Sequence, residues 1–373
     1  MALIQGLLSG ELDDSARLGT HLGNCLECLA CEPVCPSLVR FGVLMDGVRA
    51  QRVAQLPRWH RLWLRLPLDL LADRRMPALL ALISAVYRRS GLSFALKRLG
   101  LLSRGRLAVL DGLAGQLRRP RDIRTNALPA ISSGHATATQ GDNSTTDGVG
   151  LFLGCVSRGL QAPTAQAALL VLKHLGIPVN LPSRQGCCGA MHRHNGYPED
   201  ADRLLAQNQE AFGSDRVVGF ASACVAELQQ GLDAREICRF LIDTPWPTRL
   251  TLRPLPALVA VHEPCSHRNL LRDTQAVYAL LARIPELRVV GLDGNDSCCG
   301  AAGTYLLDHP ETALTLATDK VRHVTDLDPR YLVTTNTGCA AHLAARLRAA
   351  GSRVEVLHPV ELIARQIAEG PSA

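Results

Sequence analysis

The 373-residue chain lacks the common signatures of membrane-spanning, secreted and nucleotide-using proteins. It has no apolar run near the roughly 20 residues that a bilayer-spanning helix needs. The longest candidate, Met76–Tyr87, is far shorter and is bracketed by Arg74, Arg75, Arg88 and Arg89. The opening residues, MALIQGLLSGELDD, carry no basic stretch ahead of their apolar residues, so no secretory signal is read. No G-x-G-x-x-G joins a strand to a helix and there is no P-loop, which leaves no expectation of a bound dinucleotide or nucleoside triphosphate. No Ser/His/Asp order marks a nucleophile.

Cysteine, by contrast, is abundant, with 13 residues. In a chain without a secretory signal, that density points to reducing, cytoplasmic surroundings and to metal rather than disulfides. Twelve of them fall into three groups of four: Cys25, Cys28, Cys31 and Cys35; Cys155, Cys187, Cys188 and Cys224; Cys265, Cys298, Cys299 and Cys339. Cys238, in REICRF, is left over and is expected to be a buried apolar cysteine. With 47% apolar residues, the chain is long enough for two or three globular domains.

The net charge of +6 is unevenly spread. Residues 51–125 hold 16 Lys/Arg against four Asp/Glu, a local excess of +12, so the remainder is −6. Leucines at helical spacing run between these arginines, as in LPLDLLADRRMPALLALISAVYRRS, and predict helices over 51–127. Such a basic helical face suits docking on an acidic partner or on an anionic membrane surface; a solvated face is the plainer reading. No nucleic-acid partner is expected. Residues 128–148 are small and polar without periodicity and read as a linker.

Residues 149–366 contain an internal repeat. Matching cysteines of the second and third groups are offset by 110, 111 and 115 residues, and CCGA occurs in both copies. Each copy reads as strand–helix–strand–helix–strand. In the first these are GVGLFLG, APTAQAALLVLKHLG, IPVNLP, PEDADRLLAQNQEAF and DRVVGFAS; the second has PALVAVHEP, a helix around Gln275–Ile284, LRVVGLD and RYLVTTNT. Strands alternating with helices predict a parallel sheet, whose ligands sit beyond the carboxyl ends of its strands. Each cysteine group follows three strand ends, so one sheet edge can gather four thiolates. The expected fold is α/β with an α-helical N-terminal part: a ferredoxin-type segment over 1–50, a basic helical region and linker over 51–148, and two Rossmann-like repeats over 149–256 and 257–373.

The first group is C-x2-C-x2-C-x3-C-P, a bacterial ferredoxin spacing suited to a [4Fe-4S] cluster. A zinc knot or unligated cysteines compete with that reading. Where two such runs occur, the fourth cysteine of one ligates the other run's cluster. Here there is one run, so Cys35 turns back, or the fourth ligand comes from Cys238 or a partner chain. The repeat groups supply four cysteines each, one cluster per copy. Adjacent cysteines suit a large cluster better than a tetrahedral ion, although zinc in one site, or an empty site, remains an alternative. Glu227 and His342, each three residues after the last cysteine of its group, are weak candidates for a fifth ligand; the competing expectation puts both in solvent. His192 and His194 are candidates to donate to sulfur, with ordinary surface histidines as an equal alternative.

HLGNCLECLACEPVCPSLVRFGVLMDGVR, the two CCGA sites, VHEPCSHR, CCGAAGTY, TTNTGC and VLHPVELIA together resemble the iron–sulfur subunit of bacterial glycolate oxidase. That family sits among the cysteine-rich CCG-domain proteins, with lactate-utilisation iron–sulfur proteins and heterodisulfide reductase subunits. The resemblance covers nearly the whole chain. It implies an electron-transfer subunit, inactive alone, that takes electrons from a flavin-binding subunit oxidising a 2-hydroxy acid and passes them to a quinone or another carrier. It also implies that Cys25, Cys28, Cys31 and Cys35 match the second of the family's two ferredoxin runs, the chain starting just before it. Heterodisulfide reductase repeats end in C-x-x-C, whereas these end in Cys224-Val-Ala-Glu227 and Cys339-Ala-Ala-His342. That departure weighs against a thiol–disulfide redox subunit, one alternative; a zinc-containing scaffold protein is the other.

Overall fold

The computed structural model describes residues 2–73, 75–102, 105–117 and 148–368. The linker expected over 128–148 lies, except for Gly148, outside these residues, as does the 118–127 end of the expected helical region.

Two four-stranded sheets, all parallel, carry the second half of the chain. The first consists of β1 (Val149–Phe152), β2 (Val179–Asn180), β3 (Arg216–Gly219) and β4 (Ala234–Glu236), in spatial order β2-β1-β3-β4. The second consists of β5 (Leu258–Val261), β6 (Arg288–Gly291), β7 (Tyr331–Val333) and β8 (Glu355–Leu357), in the equivalent order β6-β5-β7-β8. The internal repeat is thus a repeat of topology. The expectation of three strands per copy is corrected to four. The extra strands, β4 and β8, are three-residue edge strands, ARE and EVL, too short to show an apolar period. The central strands β1 and β3 bury almost every residue, as helix-covered parallel strands do.

The two copies share one core. Leu151, Val171, Leu172 and Phe220 of the first pack in the same apolar cluster as Val259, Leu280, Val333 and Ile363 of the second. Truncating one such leucine would cost about 2–5 kcal/mol. Short polar bonds cross this junction. Ser222 Oγ lies 2.7 Å from Ser266 Oγ, Ser157 Oγ lies 2.8 Å from Thr337 Oγ1, and Thr164 Oγ1 donates to Glu361 Oε1 at 2.6 Å.

The N-terminal part is helical, as expected. Helices Ala16–Gly23 and Phe41–Gln55 bracket an irregular stretch that contains the cysteine run. Leu18, Leu22, Met45 and Val48 form a small core beneath it. The basic region supplies Arg58–Ala72, Met76–Arg89, Leu92–Arg98 and Gly105–Ala114. Among the described residues no single helix is long and apolar enough to cross a membrane; the pair Met76–Arg89 and Leu92–Arg98, bent by 62°, has the length and composition only when taken together.

Candidate functional site

Each repeat places its cysteines beyond the carboxyl ends of its strands. Cys155 follows β1, and Cys187 and Cys188 lie on the connection after β2. Cys224 sits in the first turn of helix Ser222–Leu228, after β3. The second copy repeats this with Cys265 after β5, Cys298 and Cys299 after β6, and Cys339 in the first turn of helix Thr337–Ala349. That last helix is fixed by its cap: the Asn336 side chain accepts from the backbone N–H groups of Gly338 and Cys339.

A carboxamide clamps the double-cysteine connection in each copy. Gln185 accepts from Leu153 N–H at 2.8 Å and donates to Leu151 C=O at 3.1 Å. Asn295 accepts from Glu263 N–H at 3.1 Å and donates to Val261 C=O at 2.9 Å. Both amides therefore tie the approach to the cysteine pair to the end of the first strand of their own sheet. The glycine of each CCG is also structural. Gly189 and Gly300 have φ of 97° and 86°. A Cβ at Gly300 would meet Ala313 O at 2.6 Å, and one at Gly189 would meet Ala201 Cα at 3.0 Å, so the chain has no room for a side chain there.

The sulfurs are gathered. Cys155 Sγ and Cys187 Sγ are 3.4 Å apart, Cys299 Sγ and Cys339 Sγ are 3.1 Å apart, and no described cysteine forms a disulfide. Four thiols crowded in a buried site cannot all ionise. In the first set Cys187, which its neighbours Cys155 and Cys188 favour as the thiolate, is held well below the usual thiol range, while those same contacts and burial push Cys155 and Cys188 up. In the second, Cys298 is lowered to about 3 by Cys265 and Cys299, both of which are raised. A bound cationic cluster relieves such crowding by pairing with every thiolate, so this all-sulfur donor chemistry fits iron–sulfur ligation.

The N-terminal run lies against the second set. Asn269 donates to Cys28 C=O at 2.6 Å. Burial raises the Cys28 thiol, and electrostatic contact with Cys298 and Cys25 adds to this. Within the run Glu27 and Leu29 take positive φ, 51° and 55°, a cost that non-glycine residues bear where a loop is held to a shape. Cys31 is exposed and Cys35 half-buried. One cavity of about 1500 Å³ is lined by Cys25 and Cys28 and by all eight repeat cysteines, but not by Cys31 or Cys35.

Of the remaining candidates, Cys238 is a buried apolar cysteine as expected, whereas Glu227 and His342 depart from the solvent expectation. Cys238 is fully buried in the inter-sheet core beside Glu236 and does not line that cavity. Glu227 and His342 do not face solvent: both are buried, because the helices that follow Cys224 and Cys339 pack inward. Glu227 accepts from Arg193 at 2.7 Å and from Gln230 at 2.9 Å, and His342 Nε2 lies 3.2 Å from Ala313 O. His192 sits between Cys187 and Asp69, with Nε2 3.1 Å from Asp69 Oδ1. Burial disfavours its charge, but Cys187 and Asp69 outweigh burial and raise its pKa. His194 turns from the sulfurs to Asp46 and Glu27, both 3.0 Å away; burial opposes its charge, and the two carboxylates push its pKa up to about 10. Arg49 completes this seam, reaching Glu27 at 2.6 Å, His194 C=O at 2.7 Å and Cys25 C=O at 2.9 Å.

Two residues near the second set were absent from the sequence reading. His262 is buried directly after β5, and burial with the nearby Lys320 lowers its pKa to about 3. Lys320 is itself 1% exposed, and Nζ donates to Gly294 C=O. Neither had a visible signal, since the matching stretch of the first copy holds Phe152 and Leu153, and Asn208 occupies the helical position of Lys320.

Residues 149–229 and 259–344 match the CCG cysteine-rich domain family. Over 97% of its length the chain is 25% identical to the "Probable glycolate oxidase iron-sulfur subunit" of Bacillus subtilis, covering 86% of that protein. It is 28% identical to the "Glycolate oxidase iron-sulfur subunit" of Escherichia coli, again over 97% of this chain and covering 85% of that one. Over 58% of its length it is 29% identical to "Lactate utilization protein A" of Oceanobacillus iheyensis, covering 96% of that protein. The chain thus carries two copies of the cysteine-rich domain and is homologous to glycolate oxidase iron–sulfur subunits over nearly its full length.

Proposed function

We propose that this chain is the electron-transfer subunit of a flavin-linked 2-hydroxy-acid dehydrogenase of the glycolate or lactate type. Electrons arrive from a separate flavin-binding subunit and leave to a quinone or another carrier. The observation that carries this reading is the single cavity lined by ten cysteines from three separate stretches of chain, with Cys28 beside the second set. An iron–sulfur cluster in each thiolate set supplies one-electron storage and relay. We assign one [4Fe-4S] group to Cys25, Cys28, Cys31 and Cys35 in the 1–50 segment. We assign one group to each cysteine set of the 149–256 and 257–373 units. The chain's own residues fix the sulfurs, bury five of the eight repeat cysteines and join the sets through hydrogen bonds.

The 51–148 unit is the docking element in this reading, at the inner face of the membrane. Trp59, Leu62, Trp63, Leu66 and Leu70 share one face of helix Arg58–Ala72, and every one is exposed, the two tryptophans at 65% and 67%. Leu79, Leu82, Ile83 and Val86 repeat the pattern on the next helix. The described acidic residues of this unit are engaged: Asp69 by Arg65, Asp111 by Lys97 and Tyr87, and Asp73 by the backbone of Arg75. An apolar, tryptophan-bearing face among arginines without competing carboxylates suits an anionic lipid surface. The shared cavity is also lined by Leu80, Ile83 and Tyr87, which opens a route from the cysteines toward an apolar acceptor at that face.

The test is anaerobic. The iron-loaded chain alone should be coloured, contain iron and sulfide, and show no glycolate or lactate oxidation; with a flavin subunit and substrate its clusters should be reduced. Robust turnover by the isolated chain would overturn the assignment, and zinc with little iron would replace it with a scaffold reading.

A further inference from the structure

The second cysteine set has an imidazole close to two of its sulfurs. A ring nitrogen of His262 and the sulfurs of Cys299 and Cys339 all lie within 4.8 Å of one another. His262 is 1% exposed, and its Nδ1 lies 3.0 Å from Thr334 Oγ1. With Nδ1–H donating to that hydroxyl, the free lone pair of the ring is on Nε2. Nε2 is buried without a hydrogen-bond partner. An unpartnered buried acceptor is costly and calls for a cause, a bound ion among them.

The first set is built otherwise. Phe152, the last residue of β1, and Leu153 after it stand in the matching stretch, and neither can ligate. Among the described residues no imidazole lies comparably close to two sulfurs of that set. His192 there contacts the single sulfur of Cys187; its Nε2 lies against the Asp69 carboxylate, and its Nδ1 is also buried without a hydrogen-bond partner.

We propose that His262 binds the iron–sulfur group of the second set through Nε2, giving that site mixed nitrogen–sulfur ligation. Imidazole is a good ligand for iron, and a hydroxyl on Nδ1 fixes the ring in the required orientation. The inference rests on the reading that the second set holds iron.

The experiment uses the full chain, loaded anaerobically and labelled with ¹⁵N-histidine, and reads histidine nitrogen coupling by pulsed EPR alongside iron content. The wild type should show coupling of directly bound strength. His262→Gln and His262→Cys should both lose it, and His262→Cys should keep the wild-type iron count because a thiolate can take the vacated position. Cys299→Ser tests the underlying reading: it should lower the iron content by one group. If Cys299→Ser loses iron while the wild type shows no histidine coupling, or if coupling persists in both His262 variants, His262 is not a ligand and the iron reading stands. If Cys299→Ser leaves the iron content unchanged, the second set holds no iron and both fall.

Discussion

The two cysteine sets are one scaffold carrying two electrostatic environments. Strand order, cysteine placement, the amide clamp and the left-handed CCG glycine all recur. What surrounds the sulfurs does not. Ten residues into their respective helices, counted from Pro198 and Pro310, stand Asn208 and Lys320. Asn208 is a neutral brace, donating to Cys187 C=O and accepting from Gly186 N–H. Lys320 places a buried amine, its pKa lowered by burial, in electrostatic contact with Cys299, Asp296, Cys298 and Cys339. Duplication preserved what positions sulfur and left free what sets the charge around it. Two groups held by such sites differ in how readily each accepts an electron, because a nearby cation favours the more negative, reduced state.

The sharpest way to break this comparison is to remove one sulfur from each set. Cys188→Ser and Cys299→Ser should each abolish the signal of one cluster and leave the others, since the two sets share no cysteine. EPR with iron quantitation reads this directly; loss of every cluster from soluble, folded protein by either change would show that the sets are not independent.

A smaller effect separates the two glycines. Alanine at either position must take a left-handed backbone, a strain on the order of 1–3 kcal/mol. Gly300→Ala should destabilise more than Gly189→Ala, because its Cβ would meet the Ala313 carbonyl at 2.6 Å against 3.0 Å to Ala201. Thermal unfolding of the two variants should rank them in that order; equal midpoints would mean that the helices beneath them yield equally.

The smallest effect is a pH dependence confined to the seam between the N-terminal run and the first repeat. His194 is lifted from 6.5 to about 10 by Asp46 and Glu27 against the opposing effect of burial. A folded-state value above the unfolded one means that the pairing stabilises fully below pH about 6.5 and is lost as pH rises toward 10. His194→Gln should flatten the fall in unfolding midpoint across that window. The half-exposed side chain makes the change modest. An identical pH profile in variant and wild type would remove His194 from the seam.

Local patterns made much of this legible in the sequence. The PEDADRLLAQNQEAF helix has the predicted bounds, Pro198–Phe212, because proline opens it and glycine follows it. The apolar runs at β1, β3, β5 and β7 announced buried strands, and the cysteine offsets announced two matched sites. Features that depend on what folds back from elsewhere were hidden. Glu227 and His342 carry no sign that their helices face inward. His262 sits in VHEPC with no counterpart in the first copy, so comparing the repeats pointed away from it. The approach of Cys28 to Cys298 joins residues 270 positions apart, and no short-range period encodes it.

The hydroxyl pairs at the junction carry a consequence for how such a chain can change. After an internal duplication the two copies ordinarily drift apart, each free to vary while the other keeps the original role. Here Ser222 of one copy bonds Ser266 of the other, and Ser157 bonds Thr337, each within two residues of a cysteine. Replacing Ser266 or Thr337 takes from Ser222 or Ser157 a buried partner beside the first cysteine set, whereas Ser266 keeps Asn336 and Thr337 keeps Gln161. The twins are therefore tied at the positions that flank their sulfurs and untied one shell away, at Asn208 and Lys320. Inheritance in this molecule runs across the pair as well as along each copy.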